Sequence, residues 1–79
     1  MKITIQGFGL LGPMLGEQAV ELEESATVAD VMTVLTATNP DFAVHHARTA
    51  TAVGDQLVPA NTVLRDGQTL VLIPPVGGG

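Results

Sequence analysis

The chain has 79 residues, which is enough for one domain. It contains no cysteine, and this excludes disulfides, thiolate metal ligands and a cysteine nucleophile. Its net charge of −5 argues against nucleic acid and against an anionic membrane surface as partners. Hydrophobic residues make up 46% of the chain, so we expect some of them to face a partner rather than a small core. With neither a signal sequence nor a spanning segment in view, we expect a cytoplasmic protein.

The first predicted strand covers residues 2–6, where polar and apolar residues alternate. The alternation buries Ile3 and Ile5 on one face of the strand. Continued by one step, it points Phe8 to the opposite face.

Glycines and a proline then interrupt the pattern, and we expect a loop over residues 9–16. Its leucines and Met14 make this loop unusually apolar. Two interpretations stay open: these residues fold back over the core, or they belong to a contact surface. It has no Gly-Lys-Ser/Thr ending, and a phosphate-binding loop is therefore excluded.

Alternation resumes over residues 18–24 and predicts a second strand with Val20 and Leu22 on one face. The acidic side chains of this strand favour a solvated face over a metal site, because no histidine or third ligand converges on them: Glu21, Glu23 and Glu24.

A helix is predicted over residues 28–38. Thr27 and Asp30 have the spacing of a capping box at its start. The apolar residues at helical spacing indicate one face packed on a sheet: Val28, Val31, Met32 and Leu35. Asn39-Pro40 ends the helix, since the residue before proline disfavours helical angles.

Residues 41–48 are harder to interpret. Phe42 and Val44 are expected in the core, on a short helical turn. The adjacent His45 and His46 do not face the same way, and we interpret them as exposed or satisfied histidines rather than as metal ligands or catalytic groups.

Three further strands are predicted, at residues 49–53, 56–58 and 69–73, with Val63-Leu64 packing before the last of them. If Leu70 and Leu72 face the helix, then Val71 and Ile73 face outward. The element order indicates an α+β fold, and a parallel pairing of the first and last strands would make it a β-grasp.

Pro74 and Pro75 lack the backbone N–H groups that would continue the last strand. We therefore expect a domain over residues 1–76 and a flexible glycine tail over residues 77–79. No serine, histidine and acid combination resembles a hydrolytic site. By elimination, the terminal carboxylate of Gly79 is the group that could undergo organised chemistry, after activation by adenylation.

The last sixteen residues, Leu64 to Gly79, resemble the carboxy-terminal signature of the MoaD/ThiS family of sulfur carriers. That signature combines an Asp-Gly turn, an apolar strand, Pro-Pro-Val and a terminal Gly-Gly. The helix entry Thr27-Val28-Ala29-Asp30-Val31 is similar as well. Pro-Pro-Val resembles the small subunit of molybdopterin synthase more than the thiamine-pathway carriers.

The resemblance implies a ubiquitin-like β-grasp, a mixed sheet with one main helix packed across it. An adenylating enzyme would use ATP to activate Gly79, after which a sulfur donor protein would leave a thiocarboxylate there. The chain would bind no cofactor or metal and would have no catalytic site of its own. The large subunit of molybdopterin synthase, in a heterotetramer, would accept the tail in its active site, where the sulfur would pass to the pterin precursor.

The resemblance also implies which residues meet these partners. The reacting end would be Gly78 and Gly79, and the contacts would come from the sheet and the tail: Phe8, Leu57, Ile73, Pro74, Pro75, Val76 and Gly77. This chain departs from the family in having Gly9-Leu10-Leu11-Gly12-Pro13 where the family often carries an Arg-Glu pair. Two other functions stay open: a sulfur carrier for another acceptor (cysteine, a thionucleoside or a natural product), and a ubiquitin-like modifier or passive binding module.

Overall fold

The computed structural model describes residues 1–75. The predictions that concern Val76, Gly77, Gly78 and Gly79, and with them the division of the chain at residue 76, lie outside the described residues. In chain order, the elements are β1 (Lys2–Gly7), α1 (Leu11–Leu15), β2 (Gln18–Glu21), α2 (Val28–Thr38), α3 (Pro40–Ala43), a 3-10 turn (His46–Arg48), β3 (Ala50–Val53), β4 (Gln56–Leu57) and β5 (Thr69–Ile73).

The five strands form one mixed sheet in the order β2-β1-β5-β3-β4. β1 and β5 are parallel, with Ile5 opposite Leu70, and the other neighbouring strands are antiparallel. The first and last strands therefore lie side by side at the centre of the sheet. This confirms the predicted ubiquitin-like β-grasp of the α+β class.

The core lies between the sheet and α2. The alternation predicted for β1 and β5 is confirmed, since Ile3, Ile5, Leu70 and Leu72 are all buried on this side. The helix contributes the four residues expected from its spacing: Val28, Val31, Met32 and Leu35. Burying a side chain of this size contributes about 1.5–3 kcal/mol, and such packing holds a helix whose β-branched residues give it poor intrinsic stability.

The predicted capping box at the start of α2 is confirmed. The Asp30 backbone N–H donates to Thr27 Oγ1 at 3.4 Å, and the Thr27 backbone N–H donates to Asp30 Oδ2 at 2.8 Å. The two bonds satisfy donors that the first turn of a helix leaves without partners. The helix ends before Asn39, whose backbone N–H donates to Leu35 O at 2.8 Å.

The loop predicted over residues 9–16 is wrong in part, because a short helix, α1, lies within it. Leu11 and Leu15 are one turn apart and both are buried in the core cluster. Pro13 is accommodated because it lies in the first turn, where a backbone N–H has no partner within the helix.

Two residues expected to pack in the core are exposed instead. Val44 is 81% exposed, because it lies two positions after the buried Phe42, on another side of the helical turn. Val63 is 58% exposed while its neighbour Leu64 is buried, as expected in an extended segment where successive side chains alternate.

Four strand boundaries also differ from the prediction, and the first is that β1 ends at Gly7 rather than at residue 6. β2 ends at Glu21 rather than at residue 24, β3 begins at Ala50, and β4 ends at Leu57. Leu22 still packs against the core, although the strand has ended.

Candidate functional site

The face of the sheet that points away from α2 has a row of four residues running across four strands. Gln6 is paired with Val71, Val71 with Ala52, and Ala52 with Leu57. Directly paired residues in a sheet point to the same face. Leu57, at the edge of the sheet, is 70% exposed, and the small Ala52 in the middle of the row is buried by its neighbours.

Ile73 and Phe8 lie at the end of the sheet where β5 stops. Ile73 is paired with Ala50 and, by alternation from Val71, points to the same face. The Phe8 backbone N–H donates to Leu72 O at 2.9 Å, so Phe8 continues the pairing of β1 with β5 by one residue. Its side chain is 48% exposed. The alternation therefore places Phe8, Val71 and Ile73 on one face, as the sequence predicted.

We call this surface the outer apolar face and define it by five residues: Phe8, Ala52, Leu57, Val71 and Ile73. The structure brings together the three residues for which the family resemblance implies partner contacts on the sheet, namely Phe8, Leu57 and Ile73. Their role in binding remains a prediction. Sequence reasoning missed Ala52, because its place on this face follows from the register of β3 against β5 and no local motif marks it.

Most of the large apolar residues of the loop over residues 9–16 fold back over the core, which was the first of the two interpretations. Leu11 and Leu15 turn into the core beside α2, and Met14 packs against that core. They do not cover Phe8, which stays half exposed. Leu10 is the exception, because it is 50% exposed at the start of α1.

Pro74 follows β5 and is half-buried against the turn after β1. Gly9, in this turn, has a φ of 53°, and a Cβ built on it would lie 3.4 Å from Pro74 Cγ. The absence of a side chain at Gly9 therefore allows the turn and Pro74 to lie close together. Pro75 is exposed, and neither proline extends the strand, as predicted.

The described residues show little that could perform chemistry by itself. Within residues 1–75, no three side chains of the metal-ligating types lie close enough together to hold an ion. His45 is half-buried and His46 is exposed, with the His46 ring 6.2 Å from that of Phe42. None of the helices in this part of the chain is long and apolar enough to cross a membrane.

The segments on the β1 and β5 side of the end of the sheet where β5 stops carry no charged residue. Residues 3–16 and 67–75 contain no Asp, Glu, Lys or Arg, although the whole chain has a net charge of −5. Lys2 and Glu21 are paired across β1 and β2, at the opposite end of β1. The uncharged surface therefore lies on the β1 and β5 side of this end, whereas on the β3 side Arg48 lies two residues before Ala50, the partner of Ile73. The uncharged side suits binding to another protein's apolar surface.

Solved structures similar to this chain share the whole fold. SAMP1 from Haloferax volcanii is 20% identical with a TM-score of 0.84, and the match covers 100% of both chains. A protein described as molybdopterin converting factor subunit 1, from Pyrococcus furiosus, is 25% identical with a TM-score of 0.82, over 95% of this chain and 98% of that one.

The chain is also similar to a structure from Helicobacter pylori 26695, a complex of subunits 1 and 2 of molybdopterin-converting factor. The identity is 25% and the TM-score 0.74, with 100% of both chains covered. No curated protein sequence gives a significant match. The ThiS family profile, however, matches residues 5–79, which include all but the first four residues. The chain is a member of the ThiS family.

Proposed function

We propose that the protein is a sulfur carrier for molybdopterin synthesis and acts as the small subunit of molybdopterin synthase. The observation that carries this proposal is the family match, which extends through the terminal glycines to residue 79. The central strand β5 supports it, since it leads directly into that glycine sequence. The similarity to molybdopterin-converting factor subunits from two organisms favours this pathway.

The proposed chemistry takes place at the Gly79 carboxylate. Its oxygen attacks the α-phosphate of ATP in an adenylating enzyme, which forms an acyl-adenylate and releases pyrophosphate. A sulfur donor protein then delivers sulfur at the sulfide level, as HS⁻, which attacks the acyl carbon, displaces AMP and leaves a thiocarboxylate. ATP is a substrate of the activating enzyme in this scheme, and its use is consistent with a cytoplasmic role.

The residues of this chain would bind and orient, while the partners would catalyse. Gly77 and Gly78 have no side chains, so an extended tail could enter a channel only as wide as a polypeptide backbone. Pro74 and Pro75 have fixed φ angles, which would limit the directions in which the tail leaves the sheet. Val76 would be the last side chain before the channel.

The outer apolar face would meet the large subunit of the synthase, in a heterotetramer. Phe8, Leu57 and Ile73 offer exposed or half-exposed apolar surface, and large apolar side chains contribute much of the affinity at protein interfaces. The sulfur would then pass from the Gly79 thiocarboxylate to the pterin precursor in the large subunit's active site.

The proposal is tested by the intact mass of the protein after incubation with ATP, the adenylating enzyme and the sulfur donor from the same organism. We expect the mass change of one oxygen replaced by sulfur. It should be absent without ATP and in a variant that lacks Gly79. An unchanged mass with an enzyme that is active on ATP would contradict the proposal and favour a modifier or a passive binding module.

A second measurement separates the acceptors. The thiocarboxylated protein is mixed with the large subunit of molybdopterin synthase and the pterin precursor, and the dithiolene product is followed. Loading with sulfur but no transfer to this acceptor would leave the carrier chemistry intact and assign it to another acceptor.

A further inference from the structure

Leu10 is an exposed apolar residue that the proposed partner surface does not yet include. It lies in the tight turn after β1, where the Leu11 backbone N–H donates to Phe8 O at 2.9 Å. Its side chain is half exposed, whereas the next residue, Leu11, is fully buried. Single exposed leucines are common on protein surfaces. This one is of interest because its turn lies close to the residues where the tail begins.

The turn that holds Leu10 lies beside the base of the tail. Gly9, next to Leu10, lies close to Pro74, and the Phe8 backbone N–H donates a hydrogen bond to the Leu72 carbonyl oxygen in β5. Leu10 is therefore an exposed leucine in the turn that lies against Pro74, where the chain leaves the sheet. We call Phe8, Leu10 and Pro74 the apolar collar.

The charge distribution defines the surface that would fit the collar. The segments that form it, residues 3–16 and 67–75, contain no charged side chain. A partner charge pressed against them would lose its hydration and gain no counter-ion, and this is costly. An apolar, uncharged surface avoids that cost and gains the burial of Leu10.

We propose that Leu10 is a specificity-determining residue that packs against an uncharged apolar surface of the large synthase subunit, next to the entrance for the tail. This inference rests on the proposed function, because it takes the large subunit as the partner. It adds a contact in the turn after β1 to those of the outer apolar face. The net charge of −5 would then affect the rate of encounter, while the collar would set the lifetime of the complex.

The test compares three variants of the full chain in binding to the purified large subunit. Leu10→Ser removes the apolar contact without adding charge. It should fold normally, since the Leu10 side chain is half exposed and the core cluster does not include it. Leu10→Met keeps the apolar contact. Val63→Ser is the matched control, because Val63 is exposed to a similar extent but is bridged to Thr27 at the entry of α2.

We expect Leu10→Ser to raise Kd about tenfold, mainly through faster dissociation. Leu10→Met and Val63→Ser should remain within about twofold of the wild type. The dissociation rate of the wild type should change little between low and high salt, because no ion pair is broken at the collar.

Two results would contradict the inference about Leu10 and leave the proposed function intact. One is a wild type that accepts sulfur and binds the large subunit while Leu10→Ser binds equally well. The other is a loss in Val63→Ser as large as that in Leu10→Ser. A wild type that accepts no sulfur and does not bind would overturn the proposed function, and the inference with it.

Discussion

Gly7 and Leu11 are so close that a side chain on Gly7 would collide with the backbone of α1. A Cβ built on Gly7 would lie 2.5 Å from the Leu11 carbonyl oxygen. Gly7 is paired with the buried Leu72, so it faces the core side of the sheet. The backbone of α1 therefore lies directly on β1, with no side chain between them.

Gly7→Ala should lower the free energy of unfolding by about 3 kcal/mol, at the upper end of the range for overpacked cores. The added methyl group must push α1 away and loosen Leu11. Urea denaturation measures the loss. Gly67→Ala is the control: its φ of 88° makes alanine strained, but a Cβ there meets nothing within 4 Å. That variant should lose only about 1–2 kcal/mol. Equal losses would show that α1 moves aside easily.

Substitution of Phe42 should lower the stability of the fold, whereas substitution of Phe8 should weaken partner binding. Phe42 is fully buried, and Phe42→Ala should cost about 3–5 kcal/mol of stability. Phe8 is half exposed, so Phe8→Asp should change the melting temperature little. It should nevertheless weaken binding to the large synthase subunit at least about tenfold, because the charge would be buried in an apolar interface. Calorimetry and titration of the same samples give both quantities. A large fall in melting temperature for Phe8→Asp would place Phe8 in the core and refute the interpretation of this face.

The capping box of α2 should contribute measurably to stability. Thr27→Ala removes Oγ1, which accepts from the Asp30 backbone N–H at 3.4 Å and donates to Asp30 Oδ2 at 3.1 Å, and should cost about 1 kcal/mol in urea denaturation. Thr38→Ala is a matched control on the same helix, since its hydroxyl donates to Val34 O at 2.9 Å on the exposed side. Alanine is the stronger helix former, and this variant should be neutral or slightly stabilised. The expectation fails if both variants lose the same amount.

Removal of Gly78 and Gly79 should abolish sulfur loading and leave the fold intact. Within residues 1–75 the last buried residue is Leu72. We therefore expect the core to form without the two terminal glycines. We expect an unchanged melting temperature and no mass change after incubation with ATP, the adenylating enzyme and the sulfur donor. An unfolded truncation, or one that still accepts sulfur, would contradict this.

The periodic parts of the sequence predicted their structure well. Alternation placed Ile3 and Ile5 in the core, and the spacing of apolar residues predicted the helix over residues 28–38 with its cap at Thr27. Each of these signals repeats over several residues, and a local pattern with one buried face has few structural solutions. The family resemblance, confirmed over residues 5–79, supplied the pairing of β1 with β5, which no local signal contains.

Short elements were predicted less well, because one long-range contact can decide them. The glycines and Pro13 indicated a loop, yet burial of Leu11 and Leu15 stabilises a five-residue helix there. Val44 was expected in the core because it is apolar, but the position of Phe42 on the same turn leaves it outside. The outer apolar face was predicted in part, because the alternation of side chains along the strands placed Phe8, Val71 and Ile73 on one face. Ala52 depends on strand register, which the sequence does not specify locally.

The central position of β5 determines when the domain can fold during synthesis. β5 separates β1 from β3, and among the strands in residues 1–75 it is the last to be synthesised. A nascent chain that ends before residue 69 contains both neighbours but nothing to pair them, and it lacks Leu70 and Leu72. Such a chain exposes strand edges and apolar surface, the features by which incomplete chains are bound by chaperones or degraded. We therefore expect a chain that terminates before β5 not to fold, so that a partner meets folded domains only with the strand that leads to the tail.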